Sequence, residues 1–233
     1  MLPAAALSAP RNERFEALKQ RFGVGRPAVV PTLDRALPTG IDELDAALGG
    51  GLPLGSIVTF EGRGTAGRWG IAASVLAQVT QRGLGAVIDD GHLYPPSLEE
   101  AGVRLDRLLV VPATTPVRIA RAVDVLLRSR VARVVIMGAT LLRAAVWTRL
   151  ATLAHRAGVV LIVIATRAAV ELSSVAGLRL DCAFERAFLR GTRGVWASFC
   201  GFALRAEVRK HKIAQRGGAC ISLRSHLHAT ASP

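Results

Sequence analysis

The chain has few cysteines and no long apolar run, and both shortages exclude whole classes of protein. Its three cysteines, Cys182, Cys200 and Cys220, are unclustered and form no C-x-x-C pair. An odd set of this kind predicts neither a disulfide framework nor a zinc site, so we expect reduced thiols. The longest apolar run, 157–165, has nine residues, whereas a membrane span needs about 20. With no secretory signal visible at the N-terminus, we expect a cytoplasmic protein without a membrane span.

Lysine is also scarce, because arginine supplies 27 of the 30 basic residues. Against 17 acidic residues the formal net charge is +13. Such a charge favours polyanions or acidic protein surfaces as partners. Abundant arginine, alanine and glycine are also typical of a GC-rich genome. The charge therefore leaves open a weak contact with DNA without establishing it.

Strand-like and helix-like patterns alternate along the middle of the chain, which predicts an α/β fold with a parallel sheet covered on both faces. The predicted strands span 56–61, 86–89, 108–111, 131–137 and 159–165. The predicted helices span 68–82, 116–128 and 141–157, with a short one opened by a capping box from Ser97 to Glu100. Three later strand-like runs, 178–189, 195–209 and 219–223, have no helix between them and predict an antiparallel extension of the sheet. We divide the chain into an N-terminal segment (1–36), a core (37–224) and a flexible tail (225–233).

A glycine-rich stretch follows the first strand of the core. Gly62 and Gly67 occupy the glycine positions of G-x-x-x-x-G-K-[ST], the loop that binds nucleotide phosphates. Arg68 replaces the lysine that reaches the phosphates, and Trp69 replaces the hydroxyl that binds Mg²⁺. An indole offers no oxygen to a hard cation. The stretch therefore predicts a nucleotide-binding scaffold without metal-dependent chemistry.

We expect no catalytic residue, no metal, no bound nucleotide and no other cofactor in this chain. Trp69 is expected to fill the vacated nucleotide pocket with apolar contacts. The alternative is a residual anion site made of the backbone amides of the loop.

Six short segments, met in order, resemble the RecA-like recombinase core over about residues 11–224. They are Lys19–Gly23, Thr39–Gly49, Gly51–Gly55, Ile88–His92, Leu178–Asp181 and Lys210–Ala214. The resemblance implies a RecA-like fold for the predicted α/β core. It also shows what is missing. Gly91 stands where active relatives have the glutamate that activates water, and Gly138 follows Met137 where they have a magnesium-supporting aspartate; a relay glutamine is replaced by Thr166. Together with the loop substitutions, these losses imply an inactive ATPase.

A short, basic and degenerate RecA-like chain resembles the ImuA family of bacterial mutagenesis cassettes. The resemblance implies a non-catalytic accessory role in the SOS response to DNA damage, within translesion DNA synthesis. It implies RecA and ImuB, an inactive Y-family polymerase homologue, as partners, and an error-prone replicative-type polymerase bound through ImuB. The predicted N-terminal helix and the lost catalytic set lead to a further hypothesis, that the chain binds RecA filaments and limits their growth. The alternatives are an active RecA-type DNA-dependent ATPase and a SulA-like inhibitor of cell division.

Two groups of residues are candidates for partner binding. Phe15, Leu18 and Phe22 share one stripe of a helix predicted at 11–22. They either cover the core of their own chain or dock on a neighbouring subunit, with Phe22 as the anchor. Lys210 and Lys212 match positions that in active relatives reach a neighbour's nucleotide. The alternative for both lysines is a solvated face of the antiparallel extension.

Overall fold

The computed structural model describes residues 36–64, 67–190, 198–211 and 218–224. The strands are β1 (Ala36–Leu37), β2 (Leu52–Pro53), β3 (Ile57–Glu61), β4 (Leu84–Asp89), β5 (Leu108–Pro112), β6 (Ala132–Gly138), β7 (Val160–Ala165), β8 (Leu178–Arg190), β9 (Ser198–His211) and β10 (Gly218–Arg224). The helices are α1 (Asp42–Leu48), α2 (Arg68–Arg82), α3 (Pro95–Glu100), α4 (Pro116–Ser129), α5 (Ala144–Ala157) and α6 (Val170–Val175). The stripe of Phe15, Leu18 and Phe22, the residue Lys212 and the predicted tail lie outside the described residues.

One sheet of eight strands organises the described core, in the order β10-β9-β8-β3-β7-β6-β4-β5. The six strands from β8 to β5 pair in parallel, and β9 and β10 extend the sheet in antiparallel fashion. This arrangement confirms the predicted fold class. The small strands β1 and β2 form a separate antiparallel pair that flanks α1.

The prediction was wrong in one detail, because β8 is parallel to β3 and is not part of the antiparallel extension. A helix that sequence reasoning missed, α6, lies between β7 and β8 and supplies the crossover that parallel pairing requires. With six residues it is too short to display a helical period. The antiparallel extension therefore begins one strand later, at β9.

Successive residues of the central strands face opposite layers of helices. In β3, Val58 and Phe60 belong to a buried cluster that also contains residues of α1, α2 and α3, whereas Ile57 belongs to a second cluster with residues of α4, α5 and α6. The same alternation runs through β7, whose six residues are all buried. Strands covered on both faces are apolar throughout, which is why these segments read as continuous hydrophobic runs.

Two smaller sequence predictions meet different outcomes. Ser97 does not cap α3: the helix starts at Pro95 after Tyr94, and the Ser97 hydroxyl donates to the Tyr94 carbonyl at 2.8 Å. Proline fits this first position because its missing N–H would have no helical partner there. Cys182, in contrast, is a reduced and buried thiol as expected. Burial raises its pKa to about 12. The side chains of Cys200 and Cys220 lie outside the described residues.

In the described ranges, no helix is both long and apolar enough to pass through a lipid bilayer.

The turn after α1 depends on a close approach of two backbones. A Cβ added to Gly51, whose φ is +129°, would lie 2.2 Å from the carbonyl oxygen of Leu37. Gly49 also has a positive φ, of +73°, but a Cβ there would meet no atom within 4 Å. Glycine is thus required at position 51 by a steric contact and by its backbone dihedral angles, and at position 49 by its backbone dihedral angles alone.

We expect Gly51→Ala to lower the free energy of unfolding by about 2–4 kcal/mol, because the strained φ and the clash with Leu37 add. Gly49→Ala is the matched control and should cost about 1–2 kcal/mol, from the left-handed conformation alone. Urea unfolding followed by circular dichroism measures both. Equal losses in the two variants would contradict the close approach.

Candidate functional site

The glycine-rich loop lies at the carboxyl edge of the parallel strands. It connects the end of β3 to the start of α2, the place where open α/β sheets hold their ligands. Gly62 donates its N–H to the carbonyl oxygen of Thr166, just after β7, at 3.2 Å. The backbone of Thr166, which the resemblance aligned with a relay glutamine, therefore links the loop to the sheet.

Arg68 turns back onto its own chain. Its Nη2 donates to the carbonyl oxygen of Gly64, in the loop, at 2.8 Å, and its Nη1 donates to the carbonyl oxygen of Ala165, at the end of β7. The guanidinium thus bridges the loop and the sheet edge. The charge that a phosphate-binding lysine would direct at a ligand is here directed at two backbone acceptors.

Strand β9 covers the start of α2. A Cβ placed on Gly67 would lie 2.5 Å from side-chain atoms of both Phe202 and Leu204. A side chain at this position would have to displace these two groups and adopt a positive φ, of +71°, which favours glycine for reasons that the motif did not reveal. The amino end of a helix binds anions when its amides are accessible. In this chain two apolar side chains lie against the residue that precedes that end.

Beside the loop is an open cavity of about 600 Å³. Trp69 forms part of its wall and is 44% exposed. That this indole fills the vacated nucleotide pocket stays a prediction, because its exposed fraction shows only that the neighbouring cavity is left open. Trp69 lies on the first turn of α2, and both helix residues and the ends of parallel strands line the cavity. Gly138, which the resemblance aligned with a magnesium-supporting aspartate, also lines the cavity.

Asp89 organises the turn that follows β4. Its Oδ1 accepts hydrogen bonds from the backbone N–H groups of Gly91, His92 and Leu93, each at 3.0 Å. Partial burial raises the pKa of Asp89, but these three amides outweigh it and hold the pKa below its usual value. Asp89 therefore has a structural role in the chain, and Gly91 brings no side chain to the place of the water-activating glutamate.

The best-connected polar group at this edge is Glu61, which sequence reasoning did not single out. Its buried carboxylate accepts from Arg179 twice, through Nε at 2.7 Å and through Nη2 at 2.9 Å. It also accepts from the Thr59 hydroxyl at 2.8 Å and from the Ala168 N–H at 3.1 Å. Four donors thus join β3, β8 and the turn after β7 in one place.

These contacts set the charge of the pair. Burial raises the pKa of Glu61, yet the hydrogen bonds from Arg179, Ala168 and Thr59 outweigh it, so that the pKa lies below its usual 4.5. The hydrogen bond to Glu61 raises the pKa of Arg179. Both groups are therefore charged at neutral pH, and they form a salt bridge between β3 and β8 at the start of the loop.

The remaining candidate with a described side chain is Lys210. Its Nζ donates to the carbonyl oxygens of Ser173 and Ser174, in the last turn of α6, at 2.9 and 3.1 Å. A cation is favourable there because the helix dipole concentrates negative charge at that end. The structure thus brings together Gly62, Gly67, Arg68 and Trp69 at the sheet edge, and places Lys210 against α6.

A glycine-rich loop between a parallel strand and the following helix is typical of α/β proteins with a nucleotide-binding type of fold. Residues 22–147, more than half of the 233 residues, match the RecA N-terminal domain, so the chain belongs to that family.

Similar proteins carry the same description. The chain is 36% identical over 103 residues to protein RecA of Crocosphaera subtropica, an alignment that covers 43% of this chain and 30% of the relative. It is 32% identical over 130 residues to protein RecA of Thermus thermophilus, which covers 53% and 38%. For protein RecA of Synechococcus elongatus the identity is 32% over 142 residues, covering 55% and 39%. The chain therefore spans less than half the length of the relatives it matches.

We expect Glu61→Gln to lower the free energy of unfolding at pH 7 by about 1–3 kcal/mol, because an amide cannot balance the charge of Arg179. Since the pKa of Glu61 is lower in the folded than in the unfolded chain, the carboxylate stabilises the fold above pH 4.5. That contribution is lost as the pH falls through the lowered value. The gap between wild type and variant, measured by urea unfolding at several pH values, should therefore narrow in acid.

Asp106→Asn is the control for this prediction, since it breaks the exposed pair with Arg104. An exposed pair contributes little to stability, because solvent screens it. If Glu61→Gln lowers the free energy of unfolding no more than Asp106→Asn does, the salt bridge between Glu61 and Arg179 does not stabilise the fold.

Proposed function

We propose that this chain is a non-catalytic, RecA-like accessory protein of SOS-induced translesion DNA synthesis. The observation that carries the first part is the position of Arg68, whose guanidinium is bound to the carbonyl oxygens of Gly64 and Ala165. These two hydrogen bonds hold the guanidinium against its own backbone, and it would have to give them up to turn towards a phosphate. The packing of Phe202 and Leu204 against Gly67 supports the same conclusion from the other side of the loop.

Phosphoryl transfer needs a metal clamp, an oriented water and charge at the transferring group. Trp69 offers no oxygen ligand, and Gly91 and Gly138 offer no side chain in the two positions from which active relatives supply carboxylates. Each loss removes electrostatic stabilisation of the transition state. Their combination supports a pseudo-ATPase, in which the RecA-like fold would serve to bind other proteins and not to hydrolyse ATP.

The proposed partners follow from that shape and from the resemblance to ImuA. Membership of the RecA N-terminal domain family supports a body shaped like a RecA subunit. Such a body, docked through Phe15, Leu18 and Phe22, would occupy the end of a RecA filament. Without nucleotide chemistry it would limit filament growth and bring ImuB, and through ImuB the error-prone polymerase, to the damaged site.

The purified chain should release no phosphate from ATP above the protein-free background, with or without single-stranded DNA, in a colorimetric assay. The double variant Arg68→Lys/Trp69→Thr restores the loop residues and should also be inactive, because Gly91 and Gly138 remain. Turnover by the wild type that Arg68→Ala abolishes would contradict the proposal and favour an active ATPase.

In a pull-down that offers purified RecA, ImuB and the tubulin-like division protein together, the full chain should retain RecA and ImuB. Deletion of residues 1–30 should abolish the retention of RecA, because it removes the Phe15, Leu18 and Phe22 stripe, and the triple alanine variant of the stripe should do the same.

RecA filaments on single-stranded DNA, measured by electron microscopy, should be shorter with the full chain than without it.

Capture of the division protein in place of RecA would favour the SulA-like alternative. Retention of RecA by the shortened chain would contradict docking through the stripe.

A further inference from the structure

The cavity beside the loop combines an apolar floor with an acidic rim. Ile88, Leu98 and Ile164 line it and are buried, so they close it from below. Asp90 and Glu100 line it as exposed residues. A cavity of about 600 Å³ lies within the range that holds ligands or anchoring side chains.

The charge of this cavity is opposite to that of the chain. Among the described residues that line it there are three carboxylates, of Asp89, Asp90 and Glu100, one histidine, His92, and no lysine or arginine. The chain as a whole carries 30 basic residues and a net charge of +13. Arg68, the nearest loop cation by sequence, is directed at Gly64 and Ala165 and does not line the cavity. The cavity therefore disfavours anions and favours a positive guest.

Aromatic side chains stand at the same opening. Trp69 is 44% exposed and Tyr94 is 66% exposed, and both line the cavity together with Phe202. Large exposed aromatics beside an apolar recess are typical of anchor sites for a partner's side chain. Their faces also attract cations.

We propose that this cavity binds an arginine side chain presented by a partner protein. The guanidinium would meet the Asp90 and Glu100 carboxylates, its plane would stack on Trp69 or Tyr94, and its aliphatic stem would cover Ile88 and Leu98. Arginine satisfies all three surfaces at once, because its head is planar, charged and weakly hydrated while its stem is apolar.

Two other guests fit less well. A metal ion needs several ligands at short distance, and in the described part of the chain no three His, Cys, Asp or Glu side chains are grouped to hold one. A nucleotide would bring phosphates to a wall of carboxylates. The inference deepens the proposed function, and rests on it only in that the cavity must be free of nucleotide.

The test uses the full chain and two blocked tripeptides, acetyl-Gly-Arg-Gly-amide and its citrulline twin, which has nearly the same shape but no charge. Binding is followed through the indole N–H signal of Trp69 in ¹H–¹⁵N NMR spectra, assigned by its loss in Trp69→Phe. The arginine peptide should shift this signal in a saturable way and bind about tenfold more tightly than the citrulline peptide.

Asp90→Asn/Glu100→Gln should weaken arginine binding about tenfold and bring it to the level of citrulline. Glu99→Gln is the matched control, because Glu99 is exposed on the same helix but does not line the cavity. It should bind the arginine peptide as tightly as the wild type.

Equal binding of the two peptides by the wild type would overturn the proposal, as would a stronger response to ATP with Mg²⁺ than to the arginine peptide. A Trp69 signal that shifts on dilution of the protein alone would mean that a second copy of the chain fills the cavity, and would also overturn it. A chain that hydrolyses ATP yet prefers arginine would contradict the proposed function and leave this inference standing. An inactive chain without that preference would do the reverse.

Discussion

The Glu61 carboxylate holds the loop-bearing edge of the sheet together. It lies at the end of β3, and its four donors come from β3 itself, from Arg179 on β8 and from Ala168 after β7. A buried carboxylate is costly unless every lone pair finds a donor, so the three segments must keep their relative positions. The hydrogen bonds thereby fix β8 and the turn after β7 to the end of β3, from which the glycine-rich loop starts.

At this edge the residues of the glycine-rich loop are bound to, and packed against, other parts of the same chain. Arg68 is bound to carbonyl oxygens of the loop and of β7, and β9 presses Phe202 and Leu204 against Gly67. The neighbouring cavity is open, and carboxylates and aromatic side chains line it. The proposed loss of nucleotide chemistry and the proposed binding of a partner's arginine would thus both depend on the contacts made at this edge.

The sequence predicted the helices and strands well where they are long and periodic. Residues 68–82 form α2 as predicted, because a long run of apolar residues at helical spacing ends at Gly83. Short elements without a period were missed or misplaced: α6 was not seen, and α3 begins at Pro95, not at Ser97. Because α6 was missed, β8 was wrongly predicted to belong to the antiparallel extension, whereas the crossover through α6 allows β8 to pair in parallel with β3.

What the sequence determined by itself is which chemical groups the chain possesses: a loop with Arg68 and Trp69, glycines in place of carboxylates, and apolar strands that require cover on both faces. These are properties of residue type and local spacing. What only the tertiary structure decided is where the polar groups point. Glu61 and Arg179 are 118 residues apart, and Gly67 meets Phe202 only because β9 lies beside the loop. Contacts between distant residues depend on strand order and packing, and no local pattern in the sequence records them.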